Sequence, residues 1–325
     1  MKKLNYFITG GTGSFSKEFI IQLLKKNIAN KIIVYSRDEF KQLKLKEHKL
    51  INKNIKKMRF FIGDVRDYNR LVLALRNNID VIIHAAALKQ VPATEYNPFE
   101  TVKTNVLGAQ NVIEAALVSN VKKVIALSTD KACSPINLYG ATKLTSDKLF
   151  INANLIKGKT KTIFSVVRYG NVMGSRGSVV PIFLKQKNEK YFTVTDENMT
   201  RFNISLTEAA NFVSYCLLKM KGEEIFVPKI PSYKIIDVVK AIKQKHKLKI
   251  IGIRPGEKIH EEMISKNDAY STVEYKNHYC IYPTYRKVKS NIKKEFSYSS
   301  DNNINFLTPN EIKKEIEKSL HTFEV

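Results

Sequence analysis

The chain has 325 residues, of which 43% are hydrophobic, enough to build the packed core of one large domain or two unequal ones. Its formal net charge of +25 comes mostly from lysines in helix-like stretches without interleaved aromatic residues, which favours a solvated basic surface over a nucleic-acid-binding face. No apolar run approaches the roughly 18 residues of a membrane helix, and the opening MKKLNYFITGG breaks at glycines. We therefore expect a soluble protein without a membrane anchor or signal peptide.

The three cysteines, Cys133, Cys216 and Cys280, are far apart in the chain and show neither CxxC nor His spacing. An odd number without such spacing argues against a disulfide framework and against a zinc site. We therefore expect a cytoplasmic protein that holds no metal.

Short β-branched segments alternate with longer amphipathic stretches over the first half of the chain. The predicted strands, in chain order, are YFIT, KIIVYS, MRFFIG, DVIIHAAA, KKVIALS and TIFSVVRYG. The predicted helices between them are SKEFIIQLLKK, the basic stretch FKQLKLKEHKLINKNIKK, and residues 68–77, 98–119 and 138–155. This order predicts an α/β fold with a Rossmann-like, doubly wound parallel sheet.

The pattern loosens after Gly170, where the stretch GNVMGSRGSVVP leads into a second region with its own short helices. One helix is predicted near residues 234–246 and a terminal one over 309–320. The terminal helix carries Thr308 as N-cap, Pro309 at its first position, and Glu311 closing a capping box.

We divide the chain into two parts on this basis. Residues 1–169, to which 206–228 return, are predicted to form an NADP-binding Rossmann domain. Residues 170–205 and 229–325 are predicted to form a smaller C-terminal substrate-binding region.

The stretch TGGTGSFS follows the first predicted strand and opens the first helix, the position of a dinucleotide-binding loop. Its glycines let the backbone approach a pyrophosphate, which the unpaired N–H groups of the helix then stabilise. The third small position of the pattern is Ser16. The cofactor-binding residues predicted in this loop are Gly10, Thr12, Gly13, Ser14 and Phe15.

The second predicted strand ends in Ser36 and Arg37 instead of the acidic residue that binds the ribose of NAD. Arg37 suits the 2′-phosphate of NADP, although Asp38 leaves NAD open. Asp64 and Val65, after the third strand, are predicted to meet the adenine.

The segment STDKACSPINLYGATK brings together the residues predicted to do chemistry. Ser128 and Thr129 end a strand at the edge of the sheet where ligands bind. Tyr139 and Lys143 follow four residues apart, on one helix face. A cationic Lys143 would favour the phenolate of Tyr139, which could then accept a proton from an alcohol as hydride leaves for a nicotinamide.

The chain resembles the extended short-chain dehydrogenase/reductase family, and within it the inverting UDP-N-acetylglucosamine 4,6-dehydratases of the pseudaminic-acid type. The resemblance spans nearly the whole chain. It is carried by TGGTGSF, YSRDEFKQ, GDVRD, HAAALKQVP, NPFETVKTNVLGAQNV, STDKACSPINLYGATK, RYGNVMGSRGSVVP, MTRF and RPGEKIHEEM. It implies a homo-oligomer, a hexamer, that acts on a UDP-amino sugar.

The pair Asp130 and Lys131 distinguishes this chain from the retaining dehydratases it resembles, which carry a second carboxylate in place of the lysine. The resemblance implies that Tyr139 takes the C4 hydroxyl proton, with Thr129 hydrogen-bonded to the C4 oxygen. We expect a partly neutral Lys131 to remove the C5 hydrogen, and a protonated Asp130 to donate to the departing C6 hydroxyl. Reprotonation of C5 from the opposite face would invert that centre.

Further roles follow from the resemblance alone. Ala85, Ala86, Lys89 and Asn105 are expected at the cofactor, with Lys89 also within reach of the sugar and Asn105 holding the catalytic helix. The residues expected to line the UDP pocket are Asn171, Arg201, Arg254 and Glu257. His84 is interpreted as a hydrogen-bonded imidazole at a strand end without a catalytic role, and Asn203 replaces a bulky aromatic residue of the subgroup.

Two alternatives remain open at this point. A nucleotide-sugar epimerase would use Tyr139 and Lys143 without expelling water. A non-catalytic regulator would bind NADP in the glycine loop and convert no sugar.

Overall fold

The computed structural model describes residues 3–174 and 179–319. Residues 175–178, within GNVMGSRGSVVP, and Leu320, at the predicted helix end, lie outside the described residues. The strands, in chain order, are β1 Leu4–Thr9, β2 Ala29–Ser36, β3 Met58–Ile62, β4 Val81–His84, β5 Lys123–Thr129, β6 Ile163–Tyr169, β7 Phe192–Val194, β8 Thr200–Phe202, β9 Ile225–Pro228, β10 Ser232–Lys234, β11 Leu248–Ile250, β12 Glu262–Ile264, β13 Thr272–Glu274, β14 His278–Ile281 and β15 Tyr298–Ser299.

The helices surround the sheet and build the smaller C-terminal part. In chain order they are α1 Ser14–Lys25, α2 Glu39–Glu47, α3 Lys49–Lys53, α4 Tyr68–Leu75, α5 Val91–Tyr96, α6 Pro98–Val102, α7 Gly108–Val118, α8 Leu138–Ile156, α9 Val179–Lys185, α10 Leu206–Lys219, α11 Ile235–Ile242, α12 Lys266–Ala269 and α13 Pro309–Ser319. Within the described ranges, no helix combines the length and the apolar character that crossing a bilayer requires.

The main sheet has the strand order β13-β14-β9-β6-β5-β4-β1-β2-β3 in the described part of the chain. The strands β9, β6, β5, β4, β1, β2 and β3 of this sheet run parallel. The central ones are buried on both faces because helices cover the sheet from both sides. The chain order reverses between β1 and β4. This is the switch point at which open α/β sheets bind their ligands, and the predicted Rossmann-like fold is confirmed.

The far edge of the sheet recruits strands from late in the chain. The strand β9 pairs parallel with β6, as expected for a segment that returns to the Rossmann part. The strands β14 and β13 then add antiparallel. Since residues 272–281 fall in the range that we assigned to the substrate-binding region, the division at residue 229 does not follow the sheet.

A second, smaller core forms under the C-terminal region. It joins Val180 and Phe183 of α9 to Phe192 of β7, and Val238 of α11 to Ile312 of α13. The capping box predicted for α13 is present: the Glu311 amide donates to Thr308 Oγ1, and the Thr308 hydroxyl and amide donate to the Glu311 carboxylate.

Two predicted helices are interrupted. The helix expected over 98–119 contains a π-helical turn at Lys103–Leu107, between α6 and α7. The basic helix is divided into α2 and α3 because His48 adopts an extended backbone, with ψ of 120°. Both breaks are local, and the sheet order is unaffected by them.

Candidate active site

A cleft of about 600 Å³ runs along the carboxyl ends of the central strands. One end contacts the glycine loop and the other reaches the turn after β5. Of the residues predicted from the sequence, those that line the cleft are Gly10, Thr12, Gly13, Ser14, Phe15, Ser36, Arg37, Asp64, Val65, Ala85, Ala86, Lys89, Thr129, Asp130, Lys131, Tyr139, Lys143 and Asn171.

The glycine loop brings backbone close to backbone. Gly10 has φ of 61°, and a side chain there would meet the backbone of Ala85 and Ala86 at 2.8 to 2.9 Å. The helix α1 begins after Gly13 without a side-chain cap, so its first N–H groups remain available to an anion. Ser16 fits the tight third position, because its hydroxyl is buried and donates to Gly10 O at 3.0 Å. These features fit a dinucleotide pyrophosphate.

Positive side chains surround the position expected for the adenosine ribose. Arg37 is half exposed and lies 3.5 Å from the Asp64 carboxylate. Lys41 also lines the cleft, and its Nζ lies 2.7 Å from Asp38. The Asp38 carboxylate caps α2 by accepting from the Lys41 amide, so both a helix amide and an ammonium engage it. This end of the cleft therefore carries two cations, each paired with a carboxylate.

The turn after β5 forms the chemical end of the cleft. Asp130 is 1% exposed, and its Oδ1 accepts hydrogen bonds from Thr129 Oγ1 at 2.9 Å and from Lys131 Nζ at 3.1 Å. Its Oδ2 is buried without a hydrogen-bond partner in the described part of the chain. Burial raises the pKa of Asp130, the nearby Glu261 carboxylate adds to the effect, and Lys131 opposes it. The expected protonated acid is therefore consistent with its surroundings.

Tyr139 and Lys143 lie on α8, which covers 138–156 as predicted. The structure reverses one expectation about them. Burial raises the pKa of Tyr139 to about 12, with Lys131 and a hydrogen bond from Thr129 as the opposing influences. Lys143 donates to Leu127 O at 2.7 Å, and its own pKa is lowered by burial. Desolvation thus outweighs the influences that favour a phenolate, and the largest of these comes from Lys131, not from Lys143 as expected.

Lys131 lies between two buried carboxylates. Its Nζ is 3.1 Å from Asp130 Oδ1 and 2.9 Å from Oε1 of Glu261, which is 2% exposed. Although burial lowers the pKa of Lys131, these two charges outweigh it, and the net direction is upward. The partly neutral lysine expected from the sequence is therefore wrong for this arrangement, because the second carboxylate comes from a distant segment.

That distant segment crosses the catalytic turn. Lys258 Nζ donates to Cys133 O at 2.8 Å, and the Ser134 hydroxyl donates to Glu262 at 2.9 Å. On the opposite side, Gly140 of α8 packs so closely that an added side chain would overlap the Lys131 carbonyl oxygen. The turn is consequently held between α8 and residues 258–262.

Asn105 supports the cleft without lining it. It lies in the π-helical turn, where its amide accepts from Leu88 N at 2.8 Å and donates to Leu88 O at 2.9 Å. A further bond runs from its Nδ2 to Thr142 Oγ1 on α8. It thereby connects the segment that carries Lys89 with the catalytic helix, which agrees with the expected helix-holding role.

Three other predicted residues also lie outside the lining of the cleft. Arg201 is buried, and its guanidinium donates to the backbone carbonyls of residues 200, 258 and 259, an arrangement that differs from the expected pyrophosphate ligand. Arg254 and Glu257 form an ion pair at 3.5 Å on a loop that Asn137 fastens to the start of α8. His84 is hydrogen-bonded to Thr9 at 2.9 Å, and burial lowers its pKa to about 3, so the interpretation of a non-catalytic imidazole is consistent with the structure.

The sequence reasoning missed Glu261 and the buried pair of Asp147 and Arg168. Ser128 donates to Asp147 at 2.7 Å, and Arg168 does so at 3.2 Å, which fixes the end of β5 against α8. The motif RPGEKIHEEM includes Glu261, but it contains two further Glu residues and nothing in their spacing marks this one. Among the described residues, no group of His, Cys, Asp and Glu is arranged to hold a metal.

Comparisons with known proteins agree with this geometry. The family described as "Polysaccharide biosynthesis protein" matches residues 6–283. A Campylobacter jejuni protein named UDP-N-acetylglucosamine 4,6-dehydratase (inverting) is 54% identical, over 93% of this chain and 93% of its own length. A Rickettsia bellii protein named UDP-glucose 4-epimerase is 43% identical, over 84% of this chain and 81% of its own. The X-ray structure of Pen from Bacillus thuringiensis superposes with a TM-score of 0.88 at 37% identity, covering 98% of this chain and 99% of that one.

Proposed function

The chain belongs to the polysaccharide biosynthesis protein family, and from that premise we propose that it is an inverting nucleotide-sugar 4,6-dehydratase acting on UDP-N-acetylglucosamine. The product is a UDP-2-acetamido-2,6-dideoxy-hexos-4-ulose for the synthesis of modified surface sugars. Support comes from the relative of the same name and from the chemistry of the cleft.

One observation carries the proposal. The cleft places a buried carboxyl with an unpartnered oxygen, Asp130, beside an amine, Lys131, on the same turn that meets Tyr139. Oxidation of a sugar hydroxyl alone needs only the tyrosine and its supporting lysine. A separate acid and base next to them is what removal of water from neighbouring carbons requires.

The first step belongs to Tyr139 and Thr129. The phenolate form of Tyr139 receives the proton of the C4 hydroxyl, and the charge of Lys131 and a hydrogen bond with Thr129 favour that form. Lys143, fixed by Leu127 O, holds α8 and its tyrosine against the end of β5. The end of the cleft lined by Gly10, Gly13 and Arg37 would hold NADP, whose nicotinamide would accept hydride from C4 and return it to C6.

The second step belongs to Asp130 and Lys131. The C4 ketone acidifies the C5 hydrogen. Lys131 removes that hydrogen as a proton once its ammonium has passed its own proton to the Glu261 carboxylate, 2.9 Å away. Asp130 donates to the C6 hydroxyl, which departs as water. Asp130 is buried on this turn, so its proton passes to the sugar and not to bulk solvent.

The finer assignments are part of the same proposal. Arg37 and Lys41 favour NADP over NAD. Asn171 contacts the substrate in the cleft, and Arg254 with Glu257 approach its nucleotide from the rim. We keep the two-part division as a proposal, with β13 and β14 added to the sheet of the NADP-binding part. We place the enzyme in the cytoplasm, where its three buried cysteines stay free thiols, as a homo-oligomer that binds no nucleic acid and no membrane.

The experiment is product identification. Purified protein with NADP and UDP-N-acetylglucosamine should yield a sugar nucleotide lighter by one water, with solvent deuterium at an inverted C5. Unchanged mass with new stereochemistry would show an epimerase instead, and tight NADP binding without conversion of any nucleotide sugar would show a regulator. Tyr139→Phe is the matched inactive control.

A further inference from the structure

The buried end of the cleft contains more charge than its proposed reaction uses. Lys131 Nζ lies between Asp130 and Glu261, while Arg201 Nε lies 3.8 Å from Glu261 on the other side. Asp130 is 1% exposed and Glu261 2%. The charged and titratable groups that face these two carboxyls are Lys131, Arg201, Lys258, Tyr139 and Tyr233.

Two buried carboxyls that share one ammonium cannot both keep a negative charge at low cost, because desolvation penalises each charge and the two repel. The neighbours decide which one stays neutral. Glu261 faces Lys131 and Arg201, so the pKa of its carboxyl is lowered despite burial. Asp130 has Lys131 as its cationic neighbour and Glu261 as a repelling charge, and its pKa is raised.

The hydrogen bonds point the same way. Both acceptor contacts of Asp130 fall on Oδ1, from Thr129 and Lys131, whereas Oδ2 has no partner in the described chain. Oδ2 is also the oxygen that approaches Gly170, a residue that lines the cleft. A proton on Oδ2 would therefore lie beside the cleft at Gly170, with no acceptor among the described residues.

We propose that Glu261 is a positioning residue. Its carboxylate lies between Arg201 and Lys131, stays charged in the resting enzyme and pairs with the Lys131 ammonium, so the catalytic proton remains on Asp130. Glu261 does not line the cleft and touches no reacting atom. Its effect reaches the sugar through Lys131 and Asp130. This inference rests on the proposed dehydratase function. It adds Glu261 as the residue that determines why Asp130 is the protonated one of the two carboxyls.

The test is the protonation state of Asp130 with and without the Glu261 charge. Infrared difference spectra between wild type and Asp130→Asn at neutral pH should contain the band of a protonated carboxyl. The same difference taken in a Glu261→Gln background should contain carboxylate bands instead, because Lys131 then pairs with Asp130 alone. The band of a protonated carboxyl in both backgrounds would overturn the proposal. Carboxylate bands in the wild-type difference spectrum would also overturn it, and that measurement does not depend on whether the Glu261 variant folds.

Kinetics supply the second measurement. Below the working pH, each further unit by which the pKa of Asp130 falls leaves about a tenfold smaller fraction of molecules with Asp130 protonated. We expect kcat of Glu261→Gln to fall by about tenfold or more with KM unchanged, and Glu261→Asp to recover part of the loss. Glu262→Gln is the matched control, since its carboxylate binds Ser134 on the same turn and not Lys131.

These outcomes separate the inference from the function. An equal loss of kcat in Glu262→Gln and Glu261→Gln, with Asp130 still protonated, would reduce Glu261 to a support for the turn. Failure of the wild type to release water from the sugar would overturn the dehydratase itself, whereas the infrared result would stand independently of it.

Discussion

The cofactor end of the cleft and its chemical end differ in how deeply their charged side chains are buried. At the cofactor end, the Arg37 side chain is 54% exposed and its ion pair with Asp64 is open to solvent. At the chemical end, the Asp130 and Glu261 side chains are 1% and 3% exposed. Solvent screens the first set, so each side chain acts almost alone, whereas the second set is coupled by a low dielectric.

The difference predicts how each end responds to mutation. A change at the cofactor end should alter affinity for one part of the ligand and leave the chemistry intact. A change at the chemical end should alter the protonation of several groups together. Three variants test this contrast.

The largest effect is expected from Lys131→Met. The variant removes the base and leaves two buried carboxylates without their shared cation, so dehydration should slow by about 10²- to 10⁴-fold. Oxidation at C4 should slow much less, because Tyr139 and Thr129 remain and only the lowering effect of the Lys131 charge on the Tyr139 pKa is lost. Stopped-flow detection of reduced cofactor, together with mass analysis of the product, separates the two steps, and exposed Lys148→Met on α8 is the control. Equal losses in both steps would show that Lys131 acts on the whole site and not on dehydration.

The contrast also explains how much of the molecule the sequence predicts. The glycine loop, Arg37 and the pair of Tyr139 and Lys143 carry local signals, because backbone approach and one helix turn set their geometry. The strand order follows from alternation of elements. All of the predicted residues at the cofactor end except Asn105 line the cleft.

The sequence motif locates the chemical end of the cleft, but it does not predict the protonation states of the residues there. The pKa of Lys131 depends on Glu261, which is 130 positions away and reaches it only through the packing of residues 258–262 on the turn. Tyr139 likewise titrates according to its burial, which no spacing of residues reports. The π-helical turn that presents Asn105 to Leu88 also leaves no signal in a helical pattern.

The intermediate effect is expected from Arg37→Ala. Loss of a hydrogen-bonded charge at the 2′-phosphate should weaken NADP binding by about 1.5 to 3 kcal/mol, while NAD binding changes little. Isothermal titration with both cofactors measures this, and Arg59→Gln is the control because its exposed side chain lies outside the cleft lining. A parallel loss of affinity for NAD would mean that Arg37 supports the pocket as a whole.

The smallest effect is expected from Thr129→Val. This variant tests whether one contact at the chemical end, between Thr129 and Tyr139, can be changed so that only the oxidation at C4 is affected. The hydrogen bond from Thr129 lowers the pKa of Tyr139, so its loss raises that pKa further above neutrality. Since the phenolate fraction grows with pH below the pKa, oxidation at C4 should become slower at any given neutral pH and reach the wild-type rate only at higher pH. A hydrogen bond of about 1 kcal/mol corresponds to roughly a fivefold slower oxidation. Thr129→Ser keeps the hydroxyl and should retain the wild-type pH dependence of reduced-cofactor formation, whereas an unshifted profile in Thr129→Val would remove Thr129 from the first step.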